Sequence, residues 1–310
     1  MLRFRTCIAL FGLLAPAAVW AQRDLYVSSE ATHSVKRYDG VTGAYKGDFV
    51  AVGSGGLGGP QGIAFGPDGN LYVSSRDSGA VIRYNGQTGA FMNVFTTGTT
   101  LTFPADISFR DGFLWVADFS TTGGIRRFNA MTGAFVDNFT APGVVAWADG
   151  HDWDPSGNLY VSDFVNNQIK KFSPTGAYLG VFASGSGLLG PLDMRFGPGG
   201  DLYVNSFNSG HIKRYDGVTG AFEGNFINLA VATQGQTIGP DGALYVGSYT
   251  ANFIRRYDVN TGAFLGTFVS PGSGGLAQPN NFVFGPEVVP EPATMAALGL
   301  GLLMLRRRRR

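Results

Sequence analysis

Across stretches of similar sequence, Gly62, Asp106, Gly150, Asp193, Gly235 and Asn281 fall at one equivalent position. Two carboxylates and one amide alternate there with three glycines. If this position lines a common axis, Asp106, Asp193 and Asn281 converge with near three-fold spacing. They could then hold a hard cation such as Ca²⁺, with water in the remaining sites. The alternative is that they cap strand ends or hydrogen-bond within a wet channel. His151 stands in His151-Asp152-Trp153-Asp154, where the counterparts are mostly apolar. It could serve as a catalytic general base oriented by Asp149 or Asp152, or as a structural hydrogen-bonding group. Arg195 is placed to pair with Asp193 or Asp152. Asp118 and Asp163 stand where other copies have Ser75, Ser206 and Ser248. They form either an acidic cluster at one rim or bonds to backbone amides of the following loop. No serine or cysteine nucleophile is paired with a base at a motif spacing.

The elements that must carry these residues repeat. Pro60 to Phe95 reads as four short strands: Gly62–Phe65, Leu71–Ser74, Val81–Tyr84 and Ala90–Phe95, joined by Gly66-Pro67-Asp68-Gly69 and Asn85-Gly86 turns. Copies of the second strand begin at Leu25, Leu71, Leu114, Leu159, Leu202 and Leu244, at intervals of 46, 43, 45, 43 and 42 residues. Thr-Gly-Ala turns keep step at Thr42, Thr88, Thr132, Thr175, Thr219 and Thr261. A period in the low forties with four strands per unit is the mark of a β-propeller blade. No stretch has an apolar period of 3.6 residues over helical length, so the fold class is all-β. The first copy lacks its first strand, and Phe282–Phe284 is a first strand with nothing after it. Pairing this C-terminal strand with Leu25–Val27 closes a ring of six four-stranded blades and leaves no orphan edge.

Composition and the two ends bound the function. Removing Arg3, Arg5 and the five terminal arginines leaves residues 22–305 with 16 Lys+Arg against 22 Asp+Glu, a net of −6. An acidic body argues against nucleic-acid binding. The single cysteine, Cys7, lies in residues 1–21, which read as a secretory signal peptide: basic Arg3 and Arg5, an apolar run, and Val19-Trp20-Ala21 before the cut. The mature chain is expected to use no disulfide or thiol chemistry. The paired bases Lys36-Arg37, Arg126-Arg127, Lys170-Lys171, Lys213-Arg214 and Arg255-Arg256 read as a solvated outer face. Residues 22–289 form the propeller and 290–310 a separate tail. In that tail Pro290, Glu291 and Pro292 precede an apolar run, Ala293–Leu305. Arg306, Arg307, Arg308, Arg309 and Arg310 follow. The run has 13 residues against the roughly 20 of a full span, and the arginines should stay cytoplasmic.

This tail resembles the PEP-CTERM sorting signal of Gram-negative bacteria. The resemblance implies recognition by exosortase and the secretion machinery, with a transient membrane tether and processing near Pro-Glu-Pro. The body also resembles a family. Gly66–Val73 (Gly-Pro-Asp-Gly-Asn-Leu-Tyr-Val) and Gly239–Val246, the latter followed by Ile254–Tyr257, are similar to NHL-type repeats. That pattern is shared with gluconolactonase-like and streptogramin-lyase-like propellers. The gluconolactonase-like family binds a divalent metal through channel carboxylates and an amide, a role that Asp106, Asp193 and Asn281 match in residue type. The expectation is an exported, monomeric surface or matrix propeller that binds exopolysaccharide or an envelope protein without catalysis. The alternative is a metal-dependent lactonase or lyase working in the channel.

Overall fold

The computed structural model describes residues 23–286; the expected signal peptide and sorting tail lie outside the described residues. The first blade contains β1 (Leu25–Ser29), β2 (Ser34–Tyr38) and β3 (Tyr45–Val50). The second is β4 (Pro60–Phe65), β5 (Leu71–Ser75), β6 (Ala80–Tyr84) and β7 (Phe91–Val94). The third is β8 (Pro104–Arg110), β9 (Phe113–Asp118), β10 (Gly124–Asn129) and β11 (Phe135–Asn138). The fourth is β12 (Ala148–Trp153), β13 (Leu159–Asp163), β14 (Gln168–Phe172) and β15 (Tyr178–Ser184). The fifth is β16 (Pro191–Phe196), β17 (Leu202–Ser206), β18 (His211–Tyr215) and β19 (Phe222–Asn228). The sixth is β20 (Thr233–Ile238), β21 (Leu244–Ser248), β22 (Phe253–Tyr257) and β23 (Phe264–Val269). A last strand, β24 (Pro279–Phe284), joins the first blade to give the order β24-β1-β2-β3. The described residues thus form six four-stranded antiparallel sheets, each stepping outward from an inner strand.

Ring closure follows the pairing read from the sequence. Leu25 lies opposite Phe284, Tyr26 opposite Val283 and Val27 opposite Phe282. β1 is buried along its length and β24 over its first four residues; both are extended and β-prone, so each supplies the ladder the other lacks. The Gly285 N–H donates to the Asp24 carbonyl at 2.8 Å and ties the two ends together.

Blades pack through one aromatic motif used around the ring. Tyr72 of β5 meets Phe95 of its own blade and Phe109 of the next, both at 4.8 Å and edge-on. Trp115 with Phe139 and Trp153, Tyr160 with Phe182 and Phe196, and Tyr245 with Phe268 and Phe284 repeat it. Edge-to-face rings at this spacing add to the area they bury. The Thr-Gly-Ala turns lock the same interfaces. Gly89 has φ +71, and a Cβ there would lie 1.7 Å from the Phe49 carbonyl oxygen of the preceding blade. Glycine is required on both counts.

The basic pairs differ from the expected solvated face. Lys36, Lys170 and Lys213 are buried. Lys170 pairs with Asp163 at 2.5 Å, and Lys213 donates to the Ser186 carbonyl and to Asn225. The second member of the pair lies over the aromatic motif, as Arg37 does above Tyr26 and Phe49 and Arg127 above Phe139 and Trp115. Neighbouring residues of a strand face opposite ways, so one base enters the blade while the other covers the rings.

Inner strands begin at Pro60, Pro104, Ala148, Pro191 and Thr233, two residues before the expected starts. Each is bulged against its neighbour, with register shifts at Pro60/Ile63, Pro104/Ile107, Ala148/His151, Pro191/Met194 and Thr233/Gln236. A bulge leaves residues unpaired and re-aims them. Here the released pairs are Gln61-Gly62, Ala105-Asp106, Asp149-Gly150, Leu192-Asp193 and Gln234-Gly235. The irregular stretch of β24 opposite β1 holds Asn280-Asn281. These six pairs build the site.

Candidate binding site at the channel mouth

The second residue of each bulge forms the deeper layer. Asp106, Asp193 and Asn281 are all buried there, and Asn281 Nδ2 donates to Asp106 Oδ1 at 3.1 Å across the intervening blade. The glycines between them are steric. A Cβ on Gly62 would lie 2.4 Å from the Ala105 carbonyl oxygen and 2.8 Å from the Asp106 Cα; one on Gly150 would lie 2.7 Å from the Asp193 Cα. Each glycine lets the next blade's inner strand approach, and that next strand carries the side chain filling the axis.

The donor set does not fit Ca²⁺. Asp193 Oδ1 accepts the Met194 N–H at 2.8 Å, its Oδ2 accepts the Gln236 N–H at 2.7 Å, and Arg195 stands 3.5 Å from Oδ1. Asp106 Oδ1 accepts the Ile107 N–H at 2.9 Å as well as the Asn281 amide. In this trio Asp106 Oδ2 and Asn281 Oδ1 are the atoms without a hydrogen-bond partner. Two uncommitted oxygens beside a guanidinium fall short of the six to eight that calcium takes. Among the described residues no group of three or more His, Cys, Asp and Glu has metal-holding geometry.

His151 is also in this layer and buried. Its Nε2 is 2.7 Å from Ser108 Oγ, and its Nδ1 is 3.4 Å from Asp106 Oδ2. Its carboxylate neighbour is therefore Asp106. Asp152 instead accepts the Trp153 and Phe196 N–H groups, and Asp149 belongs to the layer above. Burial, with Arg195 second, pushes the imidazole down to about 3, so it is neutral at physiological pH. Burial pushes Asp106 and Asp193 well above the usual carboxylate range. Arg195 donates to the His151 carbonyl at 3.3 Å.

The first residue of each bulge faces one end of the channel, at the start of the inner strands. The second strands end there too, and the residue after each reads Glu30, Arg76, Phe119, Phe164, Phe207 and Tyr249 around the ring. Together they line a cavity of about 190 Å³. Its polar side is joined: Arg76 donates to Glu30, Asn280 donates to Glu30 at 3.0 Å and to Gln61, and Gln234 donates to Gln61 at 3.4 Å. Burial, followed by the charge of Glu30, pushes the Tyr249 hydroxyl up to about 12. Its apolar side is a run of rings. Phe119 lies 5.4 Å from Phe164 and 5.1 Å from Trp147, and Phe207 lies 5.8 Å from Tyr249.

Asp149 lies on the cavity wall at 4 % exposure. Burial, reinforced by Asp106, Asp193 and Glu30, pushes its carboxyl far above the usual range. Sequence reasoning reached Asp149 only as a neighbour of His151, and did not reach Gln61, Gln234, Asn280 or the ring of residues after the second strands. A signal was present: in aligned repeats, the position after Ser/Asp at the end of the second strand is phenylalanine in three consecutive blades and Glu, Arg or Tyr in the others. Asp118 and Asp163, one position earlier, bind loop amides, but mainly those of the loop before the inner strand rather than the following loop. Asp118 accepts from Thr102 and Phe103, and Asp163 from Ala146 and Asn166.

Comparison with known proteins agrees with this architecture. Residues 53–177 match a repeat of unknown function (DUF6923), and residues 288–310 match the PEP-CTERM protein-sorting motif. No curated protein matches the chain in sequence. In structure it is similar to a chain of the nidogen/laminin complex, with TM-score 0.68 and 16% identity over 84% of this chain and 97% of that one. Virginiamycin B lyase from Staphylococcus aureus gives 0.55 and 19% over 72% and 73%. A protein of unknown function from Bacteroides caccae gives 0.63 and 12% over 84% and 98%. These likenesses establish the fold. The protein is a six-bladed β-propeller that carries a PEP-CTERM signal, which directs export to the cell envelope.

Proposed function

We propose that the protein is a non-enzymatic binding propeller of the envelope exterior, and that the channel mouth holds its ligand. The observation that carries this reading is the ring Glu30, Arg76, Phe119, Phe164, Phe207 and Tyr249. The six positions, three phenylalanines and three polar or ionisable residues, converge on one cavity. A concave, largely apolar site with a few convergent polar groups is the usual form of a small-ligand or side-chain pocket. In this reading the signal peptide at residues 1–21 exports the chain, and exosortase acts at Pro290-Glu291-Pro292 after a transient tether through the tail. The monomeric body then engages an exopolysaccharide or an envelope protein of a Gram-negative cell. The fold's occurrence in a nidogen/laminin complex is a precedent for partner binding by such a propeller. The test is fractionation of cells making the wild type or Phe119→Ala/Phe164→Ala. Retention of the wild type in the envelope fraction and release of the variant to the medium is the expected result. Equal retention overturns the reading.

A catalytic reading has one observation in its favour. Ser108 Oγ bonds His151 Nε2 at 2.7 Å, and Asp106 Oδ2 stands 3.4 Å from His151 Nδ1 without a hydrogen bond between them, the order of groups that activates a serine nucleophile. Against it stand the 1 % exposure of His151 and an imidazole held down to about 3, a weak base at neutral pH. Lactone or ester hydrolysis that Ser108→Ala abolishes would establish it in place of the binding reading.

A further inference from the structure

The chemistry of the mouth narrows its ligand. Glu30 is matched by Arg76, so that pair contributes no net charge to the cavity. The carboxyl of Asp149 is different: it lies on the cavity wall, 4 % exposed, with neither a hydrogen bond nor an ion pair from any described residue. A buried carboxyl without partners costs folding free energy, and native structures tend to keep such groups where a ligand completes them. Phe119, Phe164 and Phe207, from the same blade and its two neighbours, line the same cavity and have no hydrogen-bonding groups to offer a sugar's hydroxyls.

The rim adds a second, independent sign. Trp147 has φ +59. The equivalent positions before Pro60, Pro191 and Pro279 are Gly59, Gly190 and Gln278, with φ +54, +58 and +51, so the left-handed turn belongs to the repeat and Trp147 is its bulkiest occupant. A left-handed tryptophan is an outlier, and such strain persists where surrounding structure holds it for a purpose. Here the strain sets the indole against Phe119 and stacks it on Phe164 at 6.2 Å, lengthening the aromatic wall.

We propose that the mouth binds a primary ammonium on an unbranched apolar stem, a lysine side chain of an envelope protein, with Asp149 as counter-ion and Phe119, Phe164 and Phe207 as the wall. Aromatic faces attract a cation, and do so more strongly when water is excluded. One ionised Asp149 neutralises one ammonium, and a cavity of about 190 Å³ admits a four-carbon stem. The charged groups acting on Asp149 are Asp106, Asp193 and Glu30, which favour its protonated form; Arg76 lines the same cavity, paired with Glu30, and Arg195 pairs with Asp193. Entry of the cation reverses that balance. Asp149 gives up its proton to solvent as the ammonium arrives, so binding tightens as pH rises until the free carboxyl is itself ionised.

The inference rests on the mouth being the binding site. The test is calorimetric titration of the full chain with Nα-acetyl-lysine N-methylamide, in two buffers of different ionisation enthalpy, with Trp147 fluorescence as a second readout. The norleucine analogue, which has the stem without the charge, and glucosamine are the comparisons. The expected result is binding of the lysine probe with proton release near neutral pH. The norleucine analogue and glucosamine should bind about tenfold more weakly or worse. Asp149→Asn should lose about tenfold or more in affinity for the lysine probe while melting no lower than the wild type. Equal binding of the norleucine analogue, tighter binding of glucosamine, or undiminished binding by Asp149→Asn each overturns the proposal. If the lysine probe does not bind while Phe119→Ala/Phe164→Ala still loses envelope retention, the ammonium assignment falls and the binding reading stands.

Discussion

Asp106, Asp149, Asp193 and His151 are at most 4 % exposed, and their protonation couples the channel to pH. Burial raises all three carboxyls, so their stabilising protonated forms are fully present below the unfolded-state value and are lost as pH rises through the folded one. His151 works in the opposite sense. Its folded value is depressed to about 3, so its contribution is present above the unfolded value near 6.5 and is lost as pH falls toward 3. Between pH 8 and 6.5 only the carboxyls act, and the melting temperature should rise on acidification. Below 6.5 the histidine opposes three carboxyls and flattens the gain. Asp149→Asn removes one of the three. It should melt higher than the wild type at pH 8, by about 2–4 °C for each kcal/mol relieved in a domain of this size, with the difference closing toward pH 4, as read by circular dichroism across that range. A constant difference at all pH values would show that Asp149 carries no shifted proton. The alternation of Asp106, Asp193 and Asn281 with glycines was visible in the chain, and their shared depth in the channel was inferable. That Asp193's oxygens are taken by the Met194 and Gln236 amides was not, because those amides become donors only through the bulges and the neighbouring blade.

At the scale of the strand, the inner-strand glycines are contact points between blades. Gly62→Ala places a Cβ 2.4 Å from the Ala105 carbonyl oxygen, where only backbone could yield. The expected cost is about 1–3 kcal/mol in urea unfolding, the usual range for forced overpacking. Gly199→Ala is the internal comparison: no atom lies within 4 Å of its Cβ, and the change should stay within about 0.5 kcal/mol. Equal effects would mean that inner strands do not pack at the glycines. The strands themselves were legible from period-two patterns and turns, whereas their starts were not. Pro60, Pro104 and Pro191 open three of the inner strands although proline lacks an N–H, and they sit where the bulge makes that loss harmless. The basic pairs misled for a related reason. Lys36-Arg37 is polar in composition, but a strand sends its two members to opposite faces, and Lys36 finds Asp48 at 2.8 Å inside.

The whole ring depends on β24. Leu25 and Val27 share a core with Tyr245, Phe282 and Phe284, so the last strand joins the first blade and also packs against the sixth. Ending the chain at Gln278 would expose β1 as an unpaired edge and open that core. The shortened chain should lose its cooperative melt and associate through the free edge, measured by circular dichroism and size-exclusion chromatography. A monomer with an unchanged melt would show that closure is dispensable.

The sequence by itself determined the number of blades, the circular closure and the export address. These rest on local turn chemistry, a repeat period, and a C-terminal segment whose composition is its message. Tertiary structure decided the site. The residues that line the mouth belong to six different repeats, and a lone phenylalanine after each of three second strands carries no chemistry until the ring sets Phe119, Phe164 and Phe207 around Asp149. Convergence around an axis is a property of closure, so no stretch of chain shows it alone.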